Sequence, residues 1–123
     1  MERTAGMTVD RAFEVLSRAG MVAFGGVGIA GSILPETTAF DVVVAEGPAA
    51  RPRLERLLTS ASPAGKAYAA TALSRLDPQA GNAAWRRLAT DRGDLTVATG
   101  CVMDRRPLAD YAAEQLQPRP TQS

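Results

Sequence analysis

Two dipeptides, Ser62-Pro63 and Asp77-Pro78, stand fifteen residues apart and constrain the fold more than any other feature. A Ser or Asp side chain accepts a hydrogen bond from the first-turn N–H groups of a helix. A Pro just after it lacks the N–H that would otherwise be orphaned there. Each pair therefore reads as a helix start. After the first, Gly65, Tyr68, Ala69, Ala72, Leu73 and Leu76 keep to one continuous face. After the second, Gly81, Ala84, Trp85 and Leu88 do the same. Upstream, Leu54, Leu57, Leu58 and Ala61 fall at i, i+3, i+4 and i+7, which predicts three consecutive helices. Ala fills 23 of the 123 positions; it favours helix and lets neighbouring axes approach closely.

The flanking segments carry weaker signals. A first helix is expected over residues 9–19, with Thr8 as N-cap, Gly20 as its stop, and Val9, Ala12, Phe13 and Leu16 on the inner face. Pro35 opens another as far as Ala45, burying Phe40, Val43 and Val44, although the β-branched run Val42, Val43, Val44 leaves a strand open. Gly47, Pro48 and Pro52 read as a loop. Leu95, Val97 and Thr99 then alternate with Thr96, Ala98 and Gly100, and Cys101-Val102-Met103 continues an extended segment over residues 95–103. Pro107 opens a last helix, residues 108–116, and the Pro/Gln tail over 117–123 is expected to be disordered. The expected fold class is mainly α: one small helical domain over residues 1–116, with a helical hairpin at its centre and one short extended segment. At 46% hydrophobic residues the chain suffices for one core and is too short for two ordinary domains.

Lys66, the paired Ala69 and Ala70, Ala72-Leu73, Leu76 and Asp77 together resemble the second helix of a HEAT-type repeat, with residues 53–60 as its antiparallel partner. The resemblance covers about one repeat, residues 53–77. No second copy follows at a fixed period, which excludes a long solenoid. Such a helix pair implies protein binding or scaffolding and nothing enzymatic. The wider run from GGVGIAG to TVATGCV resembles a group of small bacterial proteins without an assigned activity, so it carries no function over.

The chemical inventory is short. There is no His and a single Cys, Cys101. That removes a Ser-His-Asp triad, a Cys-His pair, an imidazole base and a Cys/His zinc cluster. Cys101, among apolar neighbours and without a base, reads as a small buried hydrophobe. Asp91, Asp94, Asp104 and Asp110 match no calcium-loop spacing, and Glu36, Asp41 and Glu46 share no helix face. The one phosphate-like motif is GVGIAG, with Gly26, Gly28 and Gly31 in G-x-G-x-x-G order after the apolar residues 21–24. A dinucleotide site needs a helix opening inside that motif, yet Pro35 arrives four residues after Gly31, and no repeated βαβ units follow. A helix connector is the favoured reading. The alternative is a small-ligand or nucleotide-binding domain, enzymatic or not, using residues 25–31 as an anion cradle. No Lys-Ser/Thr follows the glycines, which excludes a Walker A loop.

A net charge of +1 gives no global field for nucleic acid. It conceals a local cluster: Arg86, Arg87, Arg92, Arg105 and Arg106 around Trp85, interleaved with Asp91, Asp94 and Asp104. Arg86, Arg87, Arg105 and Arg106 are the candidate partner-binding residues, whereas Trp85 fits the core. The apolar run of 14 residues from Met21 to Leu34 holds four glycines and is too short to span a bilayer. The charged segment before it does not resemble a signal peptide. The sequence thus leads one to expect a soluble cytoplasmic, non-catalytic protein-interaction module: an adaptor, scaffold or inhibitory partner of another protein. No cofactor, metal, membrane or nucleic-acid partner is expected.

Overall fold

The computed structural model describes residues 7–23, 35–99 and 102–116. In chain order its elements are α1 (Val9–Ser17), α2 (Pro35–Glu46), α3 (Arg51–Ser60), α4 (Pro63–Leu76), α5 (Pro78–Leu88), β1 (Asp94–Thr99), β2 (Val102–Pro107) and α6 (Leu108–Leu116). The domain is mainly helical, with a two-stranded antiparallel hairpin. Both Pro-led starts form as the sequence predicts. Ser62 Oγ accepts from the Gly65 N–H at 3.1 Å, and Asp77 Oδ1 accepts from the Gln79 N–H at 3.0 Å.

Helix α4 is the centre of the molecule. It packs against α1, α2, α3, α5, α6 and β1. Consecutive residues Ala67, Tyr68, Ala69 and Ala70 are all buried, so its middle is covered on every side. A helix that is apolar all round belongs inside a protein, and Ala is what allows so many neighbours to crowd one axis. Two glycines set the closest approaches. A Cβ on Gly65 would fall on the carbonyl oxygen of Leu16 and lie 2.9 Å from the Ala61 Cβ. One on Gly81 would lie 2.5 Å from the Ser74 Cα. Leu16, Phe40, Val43, Leu54 and Leu73 complete the core, each contributing about 1.5–3 kcal/mol by burial.

Several boundaries differ from expectation. Helix α1 stops at Ser17; Arg18 and Ala19 instead bond back to Val15 and Leu16 at 3.2 Å, three residues apart, a tightened last turn. Residues Val42 to Val44 are helical, and Val44 is only half-buried. Gly47, at φ +72°, ends α2 in the left-handed region. The expected loop is mostly helix: a 3-10 turn, Gly47–Ala50, runs straight into α3, and Pro52 sits in the first turn of α3, where its missing N–H costs nothing.

The expected extended segment folds back on itself. Strands β1 and β2 pair antiparallel, from Thr99↔Val102 to Asp94↔Pro107, leaving two connecting residues outside the described set. At the base, the Leu108 N–H donates to the Gly93 carbonyl at 2.8 Å and starts α6 against the hairpin. On its other side β1 takes a parallel bridge from Val22 to Val97. The Val22 N–H donates to the Thr96 carbonyl and the Ala98 N–H to the Val22 carbonyl, both at 2.8 Å. Among the described residues no helix is long and apolar enough to cross a membrane.

Candidate interaction surface

The four candidate arginines divide into two kinds. Arg86 and Arg87, in the last turn of α5, are exposed and have no ion pair among the described residues. Arg105 and Arg106, on β2, both face carboxylates of the chain, but unequally. Arg106 grips the Glu114 carboxylate with both guanidinium nitrogens, Nη1 to Oε1 at 3.0 Å and Nη2 to Oε2, the two-pronged geometry that Arg favours. It also lies 3.9 Å from Asp104 and over the Tyr111 ring at 6.0 Å. Arg105 meets Asp94 only loosely, at 3.9 Å, with three-quarters of its side chain in solvent. Helix α5 and strand β2 each pack on α6. No ion pair or cation–ring contact links the two arginine pairs among the described residues. Trp85 is buried, its ring 5.7 Å from that of Tyr111, so it offers no stacking platform beside them.

Lys66, the chain's one lysine, donates to Asp91 at 2.7 Å, and both side chains are more than four-fifths buried. Burial pushes the Asp91 carboxyl up, but the Lys66 ammonium and the Gly93 N–H, at 2.8 Å, outweigh it and hold the group below the usual carboxylate range. The pair ties α4 to the segment after α5 and borders a cleft of about 410 Å³ that Arg87 also lines. The other acids of the sequence cluster have only long contacts, Asp94 with Arg105 and Asp104 with Arg106, each at 3.9 Å. Among the described residues no three acidic or thiol groups come together as a metal site. Cys101 and the glycines of the alternative ligand site, Gly26, Gly28 and Gly31, lie outside the described residues.

One buried polar group invites a catalytic reading and fails it. The Tyr68 hydroxyl accepts from the Ala23 N–H at 2.8 Å and donates to the Ala23 carbonyl at 2.9 Å; Thr37 Oγ1 donates to the same carbonyl at 2.7 Å. Burial raises the phenol to about 12, against the smaller opposing pull of the Ala23 contact. At neutral pH it is a protonated structural donor, not a base.

The surface that sequence reasoning missed is the outer edge of β2. Thr96 and Ala98 direct their main-chain groups to Val22, away from β2. Their partners in the register are Arg105 and Met103. In an antiparallel ladder, residues opposite such a pair also turn their N–H and C=O outward. Arg105 and Met103 therefore turn their main-chain groups away from β1, and among the described residues nothing pairs with them. Beside them Val102 and Met103 are 65% and 56% exposed, the large apolar side chains left in solvent among the described residues. The adjacent apolar residues Val102 and Met103 were the one signal in the sequence, and they read only as a continuation of the extended segment. No protein-family model, curated protein or solved structure matches the chain.

Proposed function

We propose that the chain is a non-catalytic protein-interaction module that docks a partner protein along the open edge of β2. The observation that carries this reading is the coincidence, on one strand, of outward main-chain donors and acceptors at Met103 and Arg105 with exposed Val102 and Met103. An unpaired edge is a template for another strand. Solvent-exposed apolar residues beside it supply the contact area that main-chain bonds alone lack. Arg86 and Arg87, which hold no carboxylate among the described residues, add positive charge on a separate helix for an acidic region of the same partner. Arg106, fixed on Glu114, supports the strand and is not a contact residue. The helical core, including the pair α3 and α4, is the scaffold in this reading.

The test is affinity capture from the source organism with the tagged full chain, compared with Met103→Asp and with Arg86→Glu/Arg87→Glu. The expected result is one protein recovered by the parent chain, lost with Met103→Asp and weakened by the double arginine change. Recovery unaffected by either variant contradicts the reading.

A further inference from the structure

The proposed docking at β2 raises the question of what strand the edge would accept, and the inference here rests on that docking reading. We infer that the occupant is an antiparallel strand of a different protein, carrying an acidic residue two positions before an apolar one.

A second copy of this chain fits poorly. Two β2 strands joined edge to edge about a twofold axis keep the same sheet face up, so one residue must sit opposite itself. Centring on Asp104 sets two carboxylates together, and centring on Arg105 sets two guanidinium groups together. Like charges directly opposite destabilise a sheet. Centring on Met103 gives one apolar contact but places each exposed Val102 against an Asp104. No register centred on residues 103–105 satisfies both the apolar and the charged positions, and one centred on Val102 leaves Asp104 and Arg105 facing residues beyond the end of β2, so self-pairing along the strand is disfavoured.

The two faces of β2 are not equivalent. Val102, Asp104 and Arg106 share one, where Asp104 and Glu114 already neutralise Arg106. Met103 and Arg105 share the other. Arg105 has only Asp94, at 3.9 Å, and is largely in solvent, so its charge remains available to an incoming group. An antiparallel partner, the more stable pairing per residue, runs opposite to β2. The residue facing Arg105 then precedes the one facing Met103 by two. Complementarity demands an acid at the first and an apolar side chain at the second. Pro107 has no N–H to donate, so the added ladder is short and ends there.

The experiment titrates the full chain with a capped eight-residue peptide of alternating Thr and Val, with one Glu two residues before a central Val. A second peptide has Lys in place of the Glu. Amide exchange at Met103 and Arg105 should slow several-fold at saturation with the first. The Lys peptide should bind about twofold to fivefold more weakly, the worth of one cross-strand charge pair. With Arg105→Glu, a surface change that leaves the β1 ladder intact, that preference should reverse. Protection at Met103 without any charge preference, or a preference that survives Arg105→Glu, overturns the inference and leaves docking at the edge standing. Absence of protection with both peptides overturns both. Sedimentation of the chain alone as a dimer that Met103→Asp dissociates would show that the occupant is a second copy, and would also overturn it.

Discussion

The Tyr68 hydroxyl and the main chain of Ala23, 45 residues apart, satisfy one another twice: the hydroxyl accepts from the N–H and donates to the carbonyl. The neighbouring Val22 bridges to β1, so this contact joins the centre of α4 to the segment that flanks the sheet. Tyr68→Phe keeps the ring packed at 5.8 Å against Phe40 but leaves a buried N–H without its acceptor. The expected loss is about 1–3 kcal/mol, read as a lowered denaturation midpoint at unchanged slope.

Alkaline pH tests the same group. Its folded pKa of about 12 lies above the ordinary 10.0. The protonated hydroxyl is thus favoured by folding, and its contribution is fully present below the unfolded value. Stability should fall as pH rises from 10 toward 12, at up to about 1.4 kcal/mol per pH unit for one such group. Tyr111, also raised by burial, adds to this limb despite the opposing Arg106. Denaturation followed across this range, with and without Tyr68→Phe, should show a shallower fall in the variant.

Gly65 and Gly81 give a prediction whose sign separates packing from propensity. In an exposed helix, Gly→Ala gains about 1 kcal/mol. Here the new methyl would strike the Leu16 carbonyl at one site and the Ser74 main chain at the other. Neither obstacle is the free end of a flexible side chain. Gly65→Ala and Gly81→Ala should each lower stability by about 1–3 kcal/mol. A rise in melting temperature for either would mean that the helices do not approach so closely.

Acid should weaken the latch at Asp91. Its carboxyl titrates below the usual range when folded. That stabilisation is present above the unfolded pKa and is lost as pH falls through the folded one. Asp91→Asn keeps an oxygen for the Gly93 N–H but not the charge facing Lys66. The variant should be less stable at neutral pH and lose less on acidification, measured by chemical denaturation at both ends.

Legibility in the sequence followed how local the cause was. Helices α4 and α5 begin where Ser62-Pro63 and Asp77-Pro78 place them, because cap and Pro act within one turn. Pro52 misled because a Pro suits a first helical turn and a loop equally well, and only the 3-10 turn before it decides. The hairpin was hidden because apolar residues continue past Thr99 through Val102 and Met103, so one long extended segment and two short strands share a pattern. The candidate surface was harder still. Adjacent arginines looked alike, but Glu114, eight residues beyond Arg106, takes one of them out of use. The open edge of β2 follows from a bond made by Val22 to the far side of β1, a contact between segments more than 70 residues apart.

Docking at that edge is tested most directly by residue-level amide exchange on the full chain, free and with its captured partner. The account predicts marked slowing at Met103 and Arg105, whose N–H groups face outward, and little change at Asp104 and Arg106, already bonded to β1. Protection confined to the helices, with Met103 and Arg105 exchanging as fast as in the free chain, would contradict it.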